Sequence, residues 1–276
     1  MKTAVIIVNY NDIQNTVEYV NKIKEYSIID RIVVVDNLST TTGAFEKLKE
    51  LENQKVYVIQ SDKNGGYNYG NNCGIWFLEE KAVLNCLNVL EKNKDVAVVA
   101  PKMLNKENKP IRRSAWKIRT FGLDVIHSTR FLELLFYKKL RNGEYSKKDY
   151  EQEKLEVDAI SGAFFIIKNE VLKEIGFFDE NVFLFYEEDI LAKTLKDKNY
   201  KTISLNTENF IHYESQTIGK TFSYYKKIKQ LYKSKMYYQE KYNKINSVQK
   251  IIFKILNIFR KIELLIEIPV RKIFKK

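Results

Sequence analysis

The chain has 276 residues, with 47 Lys and Arg against 35 Asp and Glu, a net charge of +12, and only 2 Cys, 2 His, 3 Pro and 10 Gly. Such a length suits one large domain or two modest ones, and 45% hydrophobic with 13% aromatic residues excludes a disordered, collagen-like or low-complexity chain. Two cysteines exclude a disulfide scaffold and no Cys/His group has zinc spacing; with neither a signal-peptide pattern nor a long apolar run, a cytoplasmic chain without a membrane span is expected.

Predicted elements alternate along the chain. Residues 3–8 read as an apolar strand, and 12–26 as a helix with Ile13, Val17, Val20 and Ile23 at helical spacing. Arg31–Asp36 is a buried-strand pattern, 44–51 a helix, 55–60 a third strand, and 67–80 the beginning of another helix. Strands alternating with helices imply a parallel sheet with helices on its faces, and ligands of such sheets bind beyond the strands' carboxyl ends. A strand at 95–100 follows. Residues 101–156 are basic and irregular, with Arg112, Arg113 and Trp116 near their start, and read as an insertion over the active face. Residues 160–167 read as a strand, 170–175 as a short helix stopped by Gly176, 210–212 as a last short strand, and 222–242 as a Tyr- and Lys-rich helix.

Several of these pieces carry chemistry. Asp36 ends a hydrophobic strand, where a carboxylate can accept hydrogen bonds from a nucleotide's ring nitrogens or ribose; a helix-capping Asp gives the same pattern. Asn64–Gly74, N-G-G-Y-N-Y-G-N-N-C-G, has four glycines and four asparagines in eleven residues. That composition lets the backbone approach a ligand closely, although a turn before a helix uses the same residues. It is neither a phosphate-binding Gly-Lys-Ser/Thr loop nor G-x-G-x-x-G. In F-L-F-Y-E-E-D-I-L (183–191), Glu187, Glu188 and Asp189 follow an aromatic wall. Acids at a helix start suit the macrodipole, but a desolvated carboxylate beside aromatics also has the raised pKa of a general base. His212 ends the last strand in I-H-Y-E, as a structural histidine or a ligand.

In this order the motifs resemble the inverting family-2 glycosyltransferases of the GT-A fold, especially the rhamnosyltransferase-like branch. The matching stretches are V-I-I-V-N-Y-N (5–11), V-V-V-D-N-L-S (33–39), the Asn64–Gly74 run, S-G-A-F-F-I-I-K (161–168), G-F-F-D-E (176–180), Y-E-E-D-I-L (186–191) and I-H-Y-E-S (211–215). The resemblance implies an α/β fold with a mostly parallel central sheet, a catalytic domain over 1–220, and a basic helical region over 221–276. It implies that Asn9, Tyr10, Asn11, Asp36, Asn37, Asn64, Gly65, Asn68, Gly70 and Asn72 hold the nucleotide of a UDP- or dTDP-sugar. Gly162 and Ala163 would line the donor sugar. Glu188 falls at the position of the catalytic base, with Glu187 and Asp189 beside it, and His212 matches a histidine that contacts the metal or diphosphate. Mg²⁺ or Mn²⁺ is the family's usual ion. The implied activity is hexosyl or rhamnosyl transfer to a glycan or lipid-linked acceptor in surface polysaccharide synthesis.

One departure stands out. Relatives place metal-binding acids of the Asp-x-Asp type after a strand between the Asn/Gly run and the next helix, whereas here Gly74–Glu80 joins directly to Lys81–Asn85. Either the chain lacks that motif or a segment is missing from the sequence at this point; the second is the preferred reading. The departure keeps a second expectation in view, a non-catalytic nucleotide-sugar-binding or scaffold protein of the same fold.

Charge is concentrated at the end. Residues 217–276 carry 16 Lys and Arg against 3 Asp and Glu, leaving the first 216 residues at −1. Within 247–276, Ile251, Ile252, Ile255, Ile258, Phe259, Ile262, Leu265, Ile266 and Ile273 fall on one helical face, with Lys250, Lys254, Arg260, Lys261, Arg271 and Lys272 on the other side. Pro269 is expected to kink or end the helix. An apolar face bordered by basic residues suits an anionic membrane surface at the cytoplasmic face; packing on the body or in a homodimer is the alternative. No nucleic-acid partner is expected, because the positive charge lies outside the ordered motifs.

Overall fold

The computed structural model describes residues 3–64, 80–105, 107, 109–111, 114–211 and 224–273. β1 (Ala4–Asn9), β2 (Arg31–Asp36) and β3 (Val56–Gln60) form a parallel sheet in the order β1-β2-β3. Runs of Val and Ile stiffen these strands and fill the core side, while Tyr57 and Ile59 of β3 remain exposed on the other. Helices α1 (Ile13–Ile23) and α2 (Ala44–Lys49) contribute Val20, Ile23 and Leu48 to the same core as Val5, Ile7, Ile32 and Val34. Register places Asn9, Asp36 and Gln60 side by side at the carboxyl ends of the three strands.

A second sheet has the order β6-β9-β4-β8, from β4 (Val96–Leu104), β6 (Lys154–Val157), β8 (Ile166–Ile167) and β9 (Lys201–Ile211). Only β4 and β9 run parallel; β6 and β8 are antiparallel to their neighbours. Among the described residues the sheet is therefore in two pieces. Helix α3 (Glu80–Lys92) joins them: Val83 and Leu87 pack into the first core, and Cys86, Val89 and Leu90 pack against Val96, Val99, Ile203 and Leu205. Met103, Phe164 and Phe210 also reach the first core, which fixes the second sheet against it.

Four details differ from the sequence reading. The strand expected over 160–167 is broken into β7 (Ala159–Ile160), which pairs with β5 (Ala115–Trp116), and β8; the chain turns between them at Gly162. The last short strand is the end of the eleven-residue β9, whose register slips opposite Pro101/Lys102, where a proline cannot donate to the ladder. β4 continues through Pro101 to Leu104 rather than ending at Ala100, because Lys102, Met103 and Leu104 pair with Asn209, Phe210 and Ile211 beyond the slip. Much of the insertion is ordered as α4 (Phe121–Ile126), α5 (Arg130–Leu135) and α6 (Tyr137–Leu140), the first two capped by the hydroxyls of Thr120 and Thr129.

After α7 (Asn169–Glu174) and α8 (Glu187–Asp197), the chain ends in α9 (Tyr224–Lys241) and α10 (Ser247–Ile273). Pro269 lies inside α10 without ending it; a single proline forfeits one helical hydrogen bond, and the helix runs on for one turn. Tyr238 of α9 is wholly buried, its ring 5.3 Å from that of Tyr186 and 6.0 Å from Tyr242. Asp179 clamps α9 by accepting from the Tyr237 hydroxyl at 2.7 Å, the Tyr242 hydroxyl at 2.5 Å and the Lys241 ammonium at 2.9 Å.

Helix α10 carries apolar side chains on both its inward and its outward side. Arg260 faces the body and binds Glu263 at 2.9 Å and Glu267 at 2.8 Å, while Phe253 and Leu264 anchor the same side. The aliphatic stripe faces outward: Ile251, Ile255, Ile258, Ile262, Leu265 and Ile266 are between 47% and 75% exposed. Packing on the body therefore does not account for the stripe. No helix among the described residues is long and apolar enough to cross a membrane.

Removing the Asp179 clamp tests how α9 is held. Burial works to raise the pKa of this carboxyl, but hydrogen bonds from Tyr242, Lys241 and Asn181 outweigh it and hold the group below the usual range. Its stabilisation is thus present above the unfolded-state pKa and lost as pH falls. Asp179→Ala is expected to cost about 1–3 kcal/mol in urea unfolding near neutral pH, and less in acid.

Candidate active site

The strand ends meet in one network. Asp36 is fully buried, and its carboxylate accepts four hydrogen bonds: from Asn9 Nδ2 at 2.9 Å, Ser39 Oγ at 2.5 Å, Ser39 N at 3.2 Å and Gln60 Nε2 at 2.9 Å. With so many internal donors the carboxylate is an organiser of the strand ends. Asn9 accepts in turn from Thr16 at 3.0 Å and from Asp12 N at 3.3 Å, which fixes the start of α1. Asn37 donates from its backbone to Asn9 O at 2.8 Å and from its amide to Asn64 Oδ1 at 3.2 Å.

Asn11 has a positive φ of 55° and its side chain accepts from Thr40 N at 2.8 Å and Thr41 N at 3.0 Å, tying the β1 and β2 loops together. Asparagine tolerates this conformation better than most residues. Tyr10 is partly exposed beside it. A groove of about 480 Å³ opens alongside, lined by Asn11, Asp12, Ile13, Gln14, Val17 and Lys47. Asn9, Tyr10, Asn11, Asp36, Asn37 and Asn64 are thus brought to one rim. Gly65, Asn68, Gly70, Asn72 and His212 lie outside the described residues, as do Arg112 and Arg113.

The acids at the start of α8 divide into different environments. Phe185 and Tyr186 both have φ of 69°, a costly conformation for two successive aromatic residues. Tyr186 is held in it by burial and by its hydroxyl, which donates to Asp124 Oδ1 at 2.7 Å. Asp189 turns inward, accepting from the Trp116 indole N–H at 2.8 Å with Arg119 Nε at 3.8 Å. Burial raises its pKa to about 7 against the opposing charge of Arg119. Glu187 is buried with one carboxylate oxygen lacking a hydrogen-bond partner, and burial together with the neighbouring Glu188 charge pushes its pKa well up.

Glu188 alone of the three is partly exposed, and its Oε1 accepts from Gly162 N at 3.1 Å. Burial raises its pKa, partly offset by backbone hydrogen bonds including that from Gly162. The next residues, Ala163 and Phe164, pack into the first-sheet core, with the Phe164 ring 5.9 Å from that of Phe210. Gly162 is thereby the physical link between the α8 acids and the lobe carrying the strand-end network.

Sequence reasoning missed the support behind these acids. Arg119 lies 3.7 Å from Asp124, and Asp124 also accepts from Gln239 at 2.6 Å, while Tyr238 donates to the Arg119 carbonyl at 3.0 Å. Trp116 stood out as an aromatic within the insertion, but nothing in the spacing tied it to Asp189. Ser39 was part of the D-N-L-S motif; Gln60 and Ser61 carried no signal beyond ending a strand.

The solved structures that this architecture matches include GalNAc-T7 with UDP, GalNAc and Mn²⁺, with a TM-score of 0.57 and 14% identity over 79% of this chain and 44% of that one. S. aureus TarS in complex with UDP-GlcNAc matches with a TM-score of 0.54 and 13% identity over 92% of this chain and 70% of that one. The fold is the GT-A glycosyltransferase fold. A curated relative, the low-salt glycan biosynthesis hexosyltransferase Agl10 of Haloferax volcanii, is 27% identical over an alignment of 205 residues that covers 67% of this chain. The chain spans 58% of that relative's length. No protein-family model matches the chain. The GT-A fold expected from the motifs is thus borne out, and the chain is similar to a hexosyltransferase of glycan biosynthesis.

GT-A neighbours raise the question of a metal. Among the described residues, no group of three His, Cys, Asp or Glu side chains could hold an ion. His212, the ligand that the resemblance implies, lies outside the described residues.

Replacing the orphaned acid by its neutral isostere probes the electrostatics. A raised native pKa means that the folded state holds this proton more tightly, so the contribution of Glu187 to stability is most favourable in acid and declines as pH rises above the unfolded value near 4.5. Glu187→Gln removes that decline. Its urea midpoint is expected to exceed the parent's at neutral pH and to converge with it near the unfolded-state value.

Proposed function

We propose that the protein is an inverting glycosyltransferase of the family-2 type that moves a hexosyl or rhamnosyl unit from a UDP- or dTDP-sugar to a glycan or lipid-linked acceptor, in surface polysaccharide synthesis. The observation that carries this reading is the placement of Glu188: a carboxylate on a partly exposed residue, enclosed enough for a raised pKa, hydrogen-bonded to the glycine loop that packs onto the strand-end lobe. TarS binding UDP-GlcNAc and GalNAc-T7 binding UDP support a nucleotide-sugar donor.

In this reading Glu188 takes the proton of the acceptor hydroxyl while its oxygen attacks the anomeric carbon in line. The bond to the nucleoside diphosphate breaks on the opposite face, and its electron pair leaves with the phosphate oxygen. Charge spreads through an oxocarbenium-like transition state. Glu187 and Asp189 act by setting the field around the base. Asn9, Tyr10, Asn11, Asn37 and Asn64 would face the nucleotide, Asp36 would fix them, and Gly162 and Ala163 would line the sugar. Gly65, Asn68, Gly70 and Asn72 complete the donor site, and His212 with Mg²⁺ or Mn²⁺ would neutralise the diphosphate.

The outward stripe of α10 supports peripheral association with the anionic inner face of the cell membrane, where a lipid-linked acceptor would be found; a homodimer through the same face is the alternative partner. A nucleotide-sugar-binding scaffold is the second functional reading, favoured by the departure in the sequence, where no Asp-x-Asp motif stands between the Asn/Gly run and the next helix.

Glu188→Gln decides between catalysis and scaffold. Transfer from a panel of nucleotide sugars is expected to fall about 10²–10⁴-fold, while calorimetric binding of UDP or dTDP stays unchanged. Full turnover in the variant would reject Glu188 as base, and nucleotide binding without turnover in the parent would favour the scaffold. The same titrations repeated with Mn²⁺ and with a chelator test the metal: a loss of affinity in chelator is expected.

A further inference from the structure

The outward apolar surface does not stop at α10. The short helix α5 presents Phe131, Leu134 and Leu135 to solvent, each between 61% and 67% exposed, and Tyr137 continues the projection. Such a knuckle gains nothing from folding by itself, since its apolar side chains remain in water. Yet it is tied firmly to α10. The Glu263 carboxylate accepts from the backbone N–H of Arg130 at 2.8 Å and of Phe131 at 2.9 Å, and is held in turn by Arg260 at 2.9 Å.

That clamp fixes where the knuckle lies. Phe259 and Ile266 are four residues before and three after Glu263, so they are its neighbours on the helix surface and are themselves exposed. The first turn of α5 therefore abuts the border of the outward stripe. Lys254 and Lys261 lie four residues before and three after Ile258 on the stripe, and both are exposed; Lys138 and Lys139 follow the knuckle and are exposed as well. Apolar projections from two elements are thus bordered by ammonium groups.

We propose that α5 and α10 form one composite docking face for an anionic lipid bilayer, with Glu263 as the clamp that holds the knuckle beside the stripe. This rests on the membrane reading of α10 and extends it to a second element in the insertion. Two contacts out of line with each other would fix the rotation of the protein on the surface, which a single helix lying in the interface leaves free. The lysine border favours a bilayer over a second copy of the chain: a two-fold interface through this face would bring Lys254 and Lys261 toward their own copies, whereas lipid phosphates neutralise them. Exposed aromatic and aliphatic tips also suit burial at the headgroup boundary.

Co-sedimentation of the full chain with vesicles of phosphatidylcholine, alone or mixed with phosphatidylglycerol, tests the face. The parent is expected to bind the mixed vesicles and to lose binding in high salt or on phosphatidylcholine alone. The triple variant Phe131→Ser, Leu134→Ser, Leu135→Ser should lose at least about tenfold in partitioning, with circular dichroism and thermal midpoint unchanged because the altered side chains are exposed. A second triple variant, Ile258→Ser, Ile262→Ser, Leu265→Ser, separates the two readings. If only this one loses binding, the composite face is overturned and α10 alone remains as the anchor. If the parent does not bind anionic vesicles, or sediments as a dimer that either variant dissociates, both readings are overturned.

Discussion

Three carboxylates share the first turn of α8 with little water to solvate them, and the rest of the site is arranged around that constraint. Mutual repulsion and desolvation both favour protonation, which is why Glu187 and Asp189 are held above the ordinary carboxylate range. The protein meets the cost from outside the helix. Trp116 and Arg119 satisfy Asp189, a backbone amide satisfies Glu188, and the left-handed Tyr186 is locked by Asp124 and Tyr238. Only Glu188 is left with both a raised affinity for protons and access to solvent.

The C-terminal helices belong to this arrangement. Gln239 of α9 holds Asp124, and Asp124 holds both Tyr186 and Arg119, so the backing of the acids is shared between the insertion and the C-terminal segment. Helix α10 meets the body with Phe253 and Leu264 and with a charged cluster beside them. The Arg260, Glu263 and Glu267 cluster satisfies itself against the protein and leaves the aliphatic residues outside.

Much of the first lobe was legible because the signal was local. Consecutive Val and Ile with polar ends located all three parallel strands, and Arg31–Asp36 coincides with β2 residue for residue. The break at Gly162 was hidden by the apolar run on both sides, and β9 by the polar residues 206–208, which interrupt its pattern where its register slips. Partners far apart in sequence were not legible: Asp124 and Gln239 are separated by 115 residues, and no spacing announces their contact. The amphipathic period of α10 identified its two faces but not which one meets the body, since the period is the same either way. The end of a hydrophobic strand marked Asp36, but not the four internal hydrogen bonds by which it sets the positions of Asn9, Ser39 and Gln60.

The most direct test of the account is the pH dependence of sugar transfer, measured in the parent and in Glu188→Asp. The account predicts an acid limb in kcat whose midpoint lies above the ordinary carboxylate value, because burial raises the pKa of Glu188, and a changed midpoint with reduced turnover when the carboxylate is drawn back by one methylene. A rate independent of pH across the carboxylate range, or a limb and turnover identical in the two proteins, would contradict it.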